Sequence, residues 1–228
     1  MKARGSSGRT CLMPTSTILQ IEQLILSRGK QRVAGPLDLS LQRGQRGLVT
    51  GPNGSGKTTL VLAIAGLIAP TSGKLLRPER IGFVPQEPEF PLHLRCRDYF
   101  RQVLALHGSK RQKPAGAENA NSKQATLNDG AVGEQTLRLF ELEPFADHRI
   151  GELSRGWRQR LNLARGWLMA PDLLILDEPQ TALDPVGMET LWKALEQASS
   201  SAVLVVAPAK VGCESLAPLV LDLAGVPA

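Results

Sequence analysis

The stretch Gly51-Pro52-Asn53-Gly54-Ser55-Gly56-Lys57-Thr58-Thr59 constrains this chain more than any other. It follows a short apolar run, Leu48-Val49-Thr50, and leads into Leu60-Val61-Leu62-Ala63-Ile64-Ala65-Gly66-Leu67, which has a helical pattern. Strand, glycine-rich loop and helix in that order make a cradle for a polyphosphate. Glycines at 51, 54 and 56 let the backbone curl so that successive N–H groups point inward, and the positive end of the following helix adds to the same spot. The Lys57 ammonium is placed to reach the β- and γ-phosphates, and the Thr58 hydroxyl to take one position on a bridging Mg²⁺.

With 228 residues, the chain is long enough for one large domain or a core plus a small subdomain. No apolar run approaches the ~20 residues of a membrane span. The net charge of +6 raises the question of nucleic acid, which the placement of the charge answers. Lys2, Arg4 and Arg9 contribute +3 within residues 1–13; Lys110, Arg111, Lys113 and Lys123, against Glu118 and Asp129, contribute +2 within 108–130. Both stretches are rich in Gly, Ser, Asn and Ala and are expected to be disordered, residues 1–16 as a tail and 108–130 as a surface insertion. The remainder is nearly neutral, with no aromatic-interleaved basic face, so nucleic acid is not an expected partner. Cys11, Cys96 and Cys213 show no C-x-x-C spacing and fit a reducing cytosol, and the basic start lacks the apolar core of a secretory signal.

Along the chain, residues 17–26 and 37–41 read as strands, with Gly29 and Gly35-Pro36 as turns, ahead of the phosphate loop. A turn at Pro70-Thr71-Ser72-Gly73 and a strand at Ile81-Gly82-Phe83-Val84 ending on Pro85-Gln86 follow the loop's helix. Helical spacing over 96–107 and 133–142 makes Tyr99, Val103, Leu106, Leu137 and Phe140 candidate buried positions. A helix starts at Leu153-Ser154 and runs to Met169, and another starts at Asp184-Pro185 and runs to Ser199. The runs 173–176 and 202–206 are apolar without alternation, as suits strands buried on both faces of a parallel sheet, and 219–223 reads as a last strand. The alternation of strand and helix after residue 46 argues for an α/β fold with a mostly parallel sheet.

The run Leu173-Leu174-Ile175-Leu176 ends on Asp177-Glu178. Asp177 at the strand end is placed to hold the Mg²⁺ shell, and Glu178 beside it to act as base or positioner for an attacking water, which points to hydrolysis.

Leu153-Ser154-Arg155-Gly156-Trp157-Arg158-Gln159-Arg160 resembles the L-S-G-G-Q signature of the nucleotide-binding subunits of ATP-binding cassette proteins, and the resemblance extends from about residue 17 to 223. It implies one cassette over 17–228: a P-loop NTPase fold of ABC type, with an N-terminal antiparallel β layer, a mostly parallel core and a helical subdomain at about 87–170. It implies Gln86 as a lid glutamine near the reacting water and the Mg²⁺, and Thr181-Ala182-Leu183-Asp184 as the D-loop, with Asp184 near nucleotide. Ser154 and Gly156 would contact the γ-phosphate held on a partner's phosphate loop. ATP and Mg²⁺ are then the expected cofactors, and the expected partners are a second cassette, in a homodimer or a heterodimer, and a transmembrane permease. The chain would sit in the cytoplasm at the inner face of the membrane and hydrolyse ATP to drive that permease. A soluble, non-transport ATPase and a hydrolysis-poor regulatory subunit are the alternatives.

The sequence departs from the family pattern at three places. Arg155 and Trp157 replace a glycine and the glutamine of the signature, and Arg28 stands where the family offers an aromatic to stack on adenine. The third is Pro208, in the region where the family places a histidine that senses the γ-phosphate; proline lacks both the side chain and the backbone donor. None of His93, His107 and His148 lies at a matching position, so slow hydrolysis is expected.

Overall fold

The computed structural model describes residues 17–29, 31–108, 122–198, 200–208 and 219–223. Two long strands, β1 (Thr17–Arg28) and β2 (Gln31–Gln42), pair antiparallel, and β4 (Ser72–Leu76) adds to the other edge of β1. Leu19, Ile21, Leu24 and Leu26 of β1 are all buried although the spacing slips by one between 21 and 24. Gln23 absorbs the slip: its φ is 48°, and Asp38 Oδ1 accepts from its backbone N–H at 2.8 Å. This irregularity keeps one leucine face on the core through the bend.

The second sheet holds five parallel strands in the order β5 (Ile81–Val84), β6 (Leu173–Asp177), β7 (Ala202–Ala207), β3 (Arg46–Thr50) and β8 (Leu219–Asp222). Its central strands lie between two apolar clusters. Leu173, Ile175, Leu204, Val206 and Val49 face α1 (Lys57–Ala65) and the antiparallel layer. Leu174, Leu176, Val203, Val205 and Leu48 face the other way, into a cluster shared with α4 (Arg155–Trp167) and α5 (Pro185–Gln197). Burial on both faces removes any need for a polar alternate residue, which is why these strands read as unbroken apolar runs. The architecture is thus a parallel core, an antiparallel layer and a helical part, the arrangement expected from the sequence.

The helical part is formed by α2 (Cys96–Gly108), α3 (Ser122–Leu139) and the first turns of α4. Tyr99, Phe100, Leu104, Leu137 and Phe140 are buried there. Four expectations need correction. Gly35-Pro36 is not a turn but lies inside β2, with Gly35 at φ 118° so close to the Leu24 carbonyl that a Cβ would clash. The residues after Thr71 continue as β4, an exposed strand that the sequence reading missed. α3 begins at Ser122, so the low-complexity stretch 108–130 is helical over its last part, while 109–121 and the tail 1–16 lie outside the described residues. Leu106, expected to be buried, is 73% exposed because it falls on the outer face of α2.

Candidate functional site

Four chain segments leave the carboxyl edge of the parallel sheet side by side, because β5, β6, β7 and β3 are consecutive in it. The phosphate loop follows β3, Gln86 follows β5, Glu178 follows β6 and Pro208 follows β7. Ligands of open α/β sheets bind at that edge. A cleft of about 650 Å³ opens there, lined on the sheet side by Asn53, Lys57, Thr58, Gln86, Glu178 and Pro208. Gly54, Gly56 and Thr59 complete the loop's share of the wall.

The loop's shape depends on two glycines. Gly56 caps α1 with φ 91°, and a Cβ there would meet Ala34 Cβ at 2.9 Å; Gly51 has φ 152°, and its Cβ would meet Ser55 Oγ at 2.6 Å. A side chain at either position would spread the loop away from β2 or from itself. Ser55 N–H donates to the Pro52 carbonyl at 3.2 Å, which closes the turn. Lys57 is buried, and its Nζ donates to the carbonyls of Gly51 and Pro52 at 2.8 and 2.9 Å. The ammonium is thereby held at the mouth of the loop. Ser55 Oγ and Thr50 Oγ1 are buried at the base of the cradle without a hydrogen-bond partner.

Glu178 adopts φ 47°, a left-handed conformation that is costly for a residue with a Cβ, and its N–H donates to the Val206 carbonyl at 2.8 Å. The turn swings its carboxylate out of the sheet, where Gln86 Nε2 donates to Oε2 at 2.8 Å. The two segments after β5 and β6 thus meet in the cleft. Asp177 stays buried as the last residue of β6. Burial, and next the Glu178 carboxylate, push its carboxyl up to about 6, and Lys57 partly offsets this.

Ser154, Gly156 and Asp184 do not line this cleft. Ser154 caps α4, its Oγ accepting from Trp157 N–H at 3.3 Å. Gly156 lies beside the turn after Glu178, where a Cβ would come within 3.1 Å of the Ala182 carbonyl. Asp184 caps α5, its Oδ1 accepting from Gly187 N–H at 2.7 Å and from Arg160 Nη2 at 3.1 Å. Those donors hold its carboxyl below the usual range. The start of α4 and the turn before α5 therefore lie apart from the phosphate loop's own cleft on the same chain.

Arg28 lines the cleft, and with it Gln31, Arg32 and Val33, which sequence reading did not single out. Gln31, Arg32 and Val33 lie 18–20 residues before Gly51 and meet the loop only because β2 passes under Gly56; no local pattern signals this. His93 and His148 are exposed, away from the cleft lining. Among the described residues, no helix is long and apolar enough to cross a membrane.

A parallel sheet carrying a phosphate loop and an acidic strand end defines the class of phosphate-loop nucleotide-binding folds. The profile of the ABC transporter family matches residues 34–181, and the chain belongs to that family. It is 36% identical over 184 residues to the zinc import ATP-binding protein ZnuC of Yersinia enterocolitica, which covers 80% of this chain and 65% of the relative. It is 32% identical over 205 residues to the Nod factor export ATP-binding protein I of Cupriavidus metallidurans, covering 82% of this chain and 60% of the relative. The chain thus spans a little under two thirds of the length of these relatives. Among solved structures, the ATP-binding subunit of an ABC transporter superposes with a TM-score of 0.74 at 21% identity, covering 91% of this chain and 86% of that one. A dimeric ATP-binding cassette in a post-hydrolysis state with ADP and phosphate superposes at 0.73 and 22%, covering 91% and 94%. These two likenesses concern the fold.

Proposed function

We propose that this chain binds Mg-ATP in the cleft, pairs head to tail with a second cassette, identical or not, and hydrolyses ATP to drive a separate membrane permease. The observation that carries the reading is the Gln86–Glu178 contact, which sits in the same cleft as Lys57 and the phosphate loop. In this reading the loop amides of 51–59 and Lys57 hold the phosphates. The oxygen donors Thr58, Asp177 and Gln86 suit Mg²⁺, a hard cation that takes one or two carboxylates and otherwise prefers water and phosphate. The orphaned Ser55 hydroxyl at the base of the cradle fits a site built for a polar guest. Bound Mg²⁺ neutralises charge on the β- and γ-phosphates.

Glu178 then orients the attacking water and accepts its proton, while Gln86 holds that carboxylate in place. Ser154 and Gly156, on their separate surface, meet the γ-phosphate bound to the partner cassette, and Asp184 lies close by. The permease docks beside Gln86 and the segment 87–99, which places the chain at the cytoplasmic face of a membrane. Relatives named for import and for export share this part of the chain, so the proposal concerns the engine they have in common.

The presence of Pro208 in the cleft lining favours a second reading, a hydrolysis-poor nucleotide-binding subunit or a soluble ATPase. Titration calorimetry with Mg-ATP and a phosphate-release assay, run with the chain alone and with its co-purified membrane partner, separate these. Binding with turnover raised by the partner supports the engine; binding without turnover in either sample supports the hydrolysis-poor subunit; binding with turnover that the partner leaves unchanged supports the soluble ATPase; absence of binding rejects all three.

A further inference from the structure

The buried face of α4 carries two amides, Gln159 (3% exposed) and Asn162 (0% exposed), in the midst of leucines. Asn162 Nδ2 donates to the Pro85 carbonyl at 2.8 Å and to Gln159 Oε1 at 3.3 Å, and Gln159 Nε2 donates to the Pro179 carbonyl at 3.2 Å. Pro85 precedes Gln86, and Pro179 follows Glu178. Because Gln86 Nε2 reaches Glu178 Oε2, the bonds close a ring: Gln86, Pro85, Asn162, Gln159, Pro179, Glu178 and back to Gln86.

β5 ends at Val84 and β6 at Asp177, so both proline carbonyls lie beyond the ladder that would have satisfied them. A buried carbonyl without a donor is costly, and an amide is a side chain that can donate to one and still accept from its neighbour. Asn162 does accept: Arg165 Nη2 donates to its Oδ1 at 2.9 Å. The same guanidinium donates to the Tyr99 hydroxyl at 3.4 Å and lies 5.7 Å from the Phe90 ring, which meets Tyr99 edge-on at 5.5 Å.

We infer that Gln159 and Asn162 are positioning residues: they fasten Gln86 and Glu178 to one helix as a single unit and tie that unit, through Arg165, to the segment 87–99. The inference rests on the hydrolytic reading of the cleft and deepens it. With the ring intact, a displacement of Phe90 or Tyr99 moves Asn162 and carries Gln86 and Glu178 together. With the ring cut, either side chain can drift while the other stays. Buried, fully connected polar networks fix one arrangement in this way, whereas a partly connected one does not.

The test is a double-mutant cycle by single-turnover ATP hydrolysis with the full chain in excess, which reads slow rates as well as fast ones. Asn162→Asp keeps the acceptor for Arg165 and loses the donor to Pro85; Gln159→Glu likewise loses the donor to Pro179. Each is expected to lower the hydrolysis rate about tenfold, with ATP affinity within about twofold of wild type, as for a small misplacement of reacting groups. Thermal melts identify any variant that fails to fold, and Asn162→Ala and Gln159→Ala serve as second variants at each position. In a Gln86→Ala background, where the ring is already open, Asn162→Asp is expected to cost less than a further twofold. Rates unchanged in the single variants, or losses that multiply in the double variant, would overturn the inference and leave the amides as packing alone. A wild-type chain that binds no ATP would instead overturn the nucleotide reading and this inference with it.

Discussion

The Arg160 guanidinium lies 4.5 Å over the ring of Trp157. Arg160 is 4% exposed, and its two ends donate to Glu141 at 2.6 Å and to Asp184 at 3.1 Å, so one side chain joins the end of the helical part to the cap of α5. Trp157, which stands where the family signature has glutamine, also packs on Phe145 with 4.3 Å between ring centres. The departure in the signature thus has a structural use: the indole covers the arginine and fills the space beside Phe145.

Trp157→Ala is accordingly expected to destabilise the chain by about 2–3 kcal/mol, from lost aromatic burial and the lost cation–π contact. Trp157→Gln should be nearly as harmful although it restores the family residue. Urea denaturation measures both; a change below about 0.5 kcal/mol for either would show that the indole is not holding Arg160.

Lys57→Ala is expected to abolish detectable Mg-ATP binding while leaving the melting temperature of the ligand-free chain within a few degrees. The change removes an ammonium bonded to two loop carbonyls and leaves the leucine clusters untouched. Calorimetry and a melt on the same sample check the two halves separately, and unchanged affinity would reject the phosphate-loop assignment.

Glu178→Gln keeps the size of the side chain and removes its capacity as a base. It is expected to retain ATP affinity and to accumulate an ATP-bound dimer, visible as a shift in size-exclusion chromatography. Only monomer, in both wild type and variant with ATP present, would count against the head-to-tail sandwich.

The Asp177 carboxyl, raised to about 6 by burial and by Glu178, makes stability depend on pH. The folded chain holds this proton more tightly than the unfolded one, so stability falls as pH rises from about 4 to about 6 and is flat above. Allowing for solvent screening, the loss is on the order of 1–2 kcal/mol. Asp177→Asn should remove that slope and raise the melting temperature at pH 7.5, while weakening binding of Mg-ATP more than binding of ATP in the presence of a chelator. Melts at pH 4.5, 6 and 7.5 decide it; an unchanged slope in the variant would assign the pH dependence to another group.

Pro208 supplies neither a side-chain nor a backbone donor to the cleft. If the γ-phosphate needs one there, Pro208→His should raise turnover of the isolated chain, up to the 10²–10³-fold typical of one preorganised donor. Lys210, the nearest candidate to compensate in sequence, lies outside the described residues, so Lys210→Ala is measured alongside. Brisk wild-type turnover, unaffected by either substitution, would mean that Glu178 suffices.

What was legible in the sequence was local or doubly buried. The phosphate loop could be read because its shape depends on glycines within nine consecutive residues and on a helix that starts at Lys57, directly after the last of those glycines. Strand β6 and its acidic end could be read because a strand covered on both faces has no polar alternate to confuse it with a helix face. The strands β1 and β2 were found but not joined correctly: Gly35-Pro36 has the composition of a turn, and only the partner strand across it keeps it in the sheet.

The relations between distant segments were decided by tertiary structure alone. β4 is exposed, with Ser72-Gly73-Lys74 at its start, and it is a strand only because β1 offers an edge to pair with. Arg32 and Val33 enter the cleft because β2 runs beneath Gly56. Gln159 and Asn162 look in the sequence like ordinary polar residues of an amphipathic helix, and their partners are carbonyls 20 and 77 residues away. A hydrogen bond to a carbonyl leaves no mark on the identity of the residue that owns it, since every residue has one. The sequence by itself therefore determined the phosphate loop and the acidic strand end, and the packing of α4 across the ends of β5 and β6 decided which of the distant side chains meet.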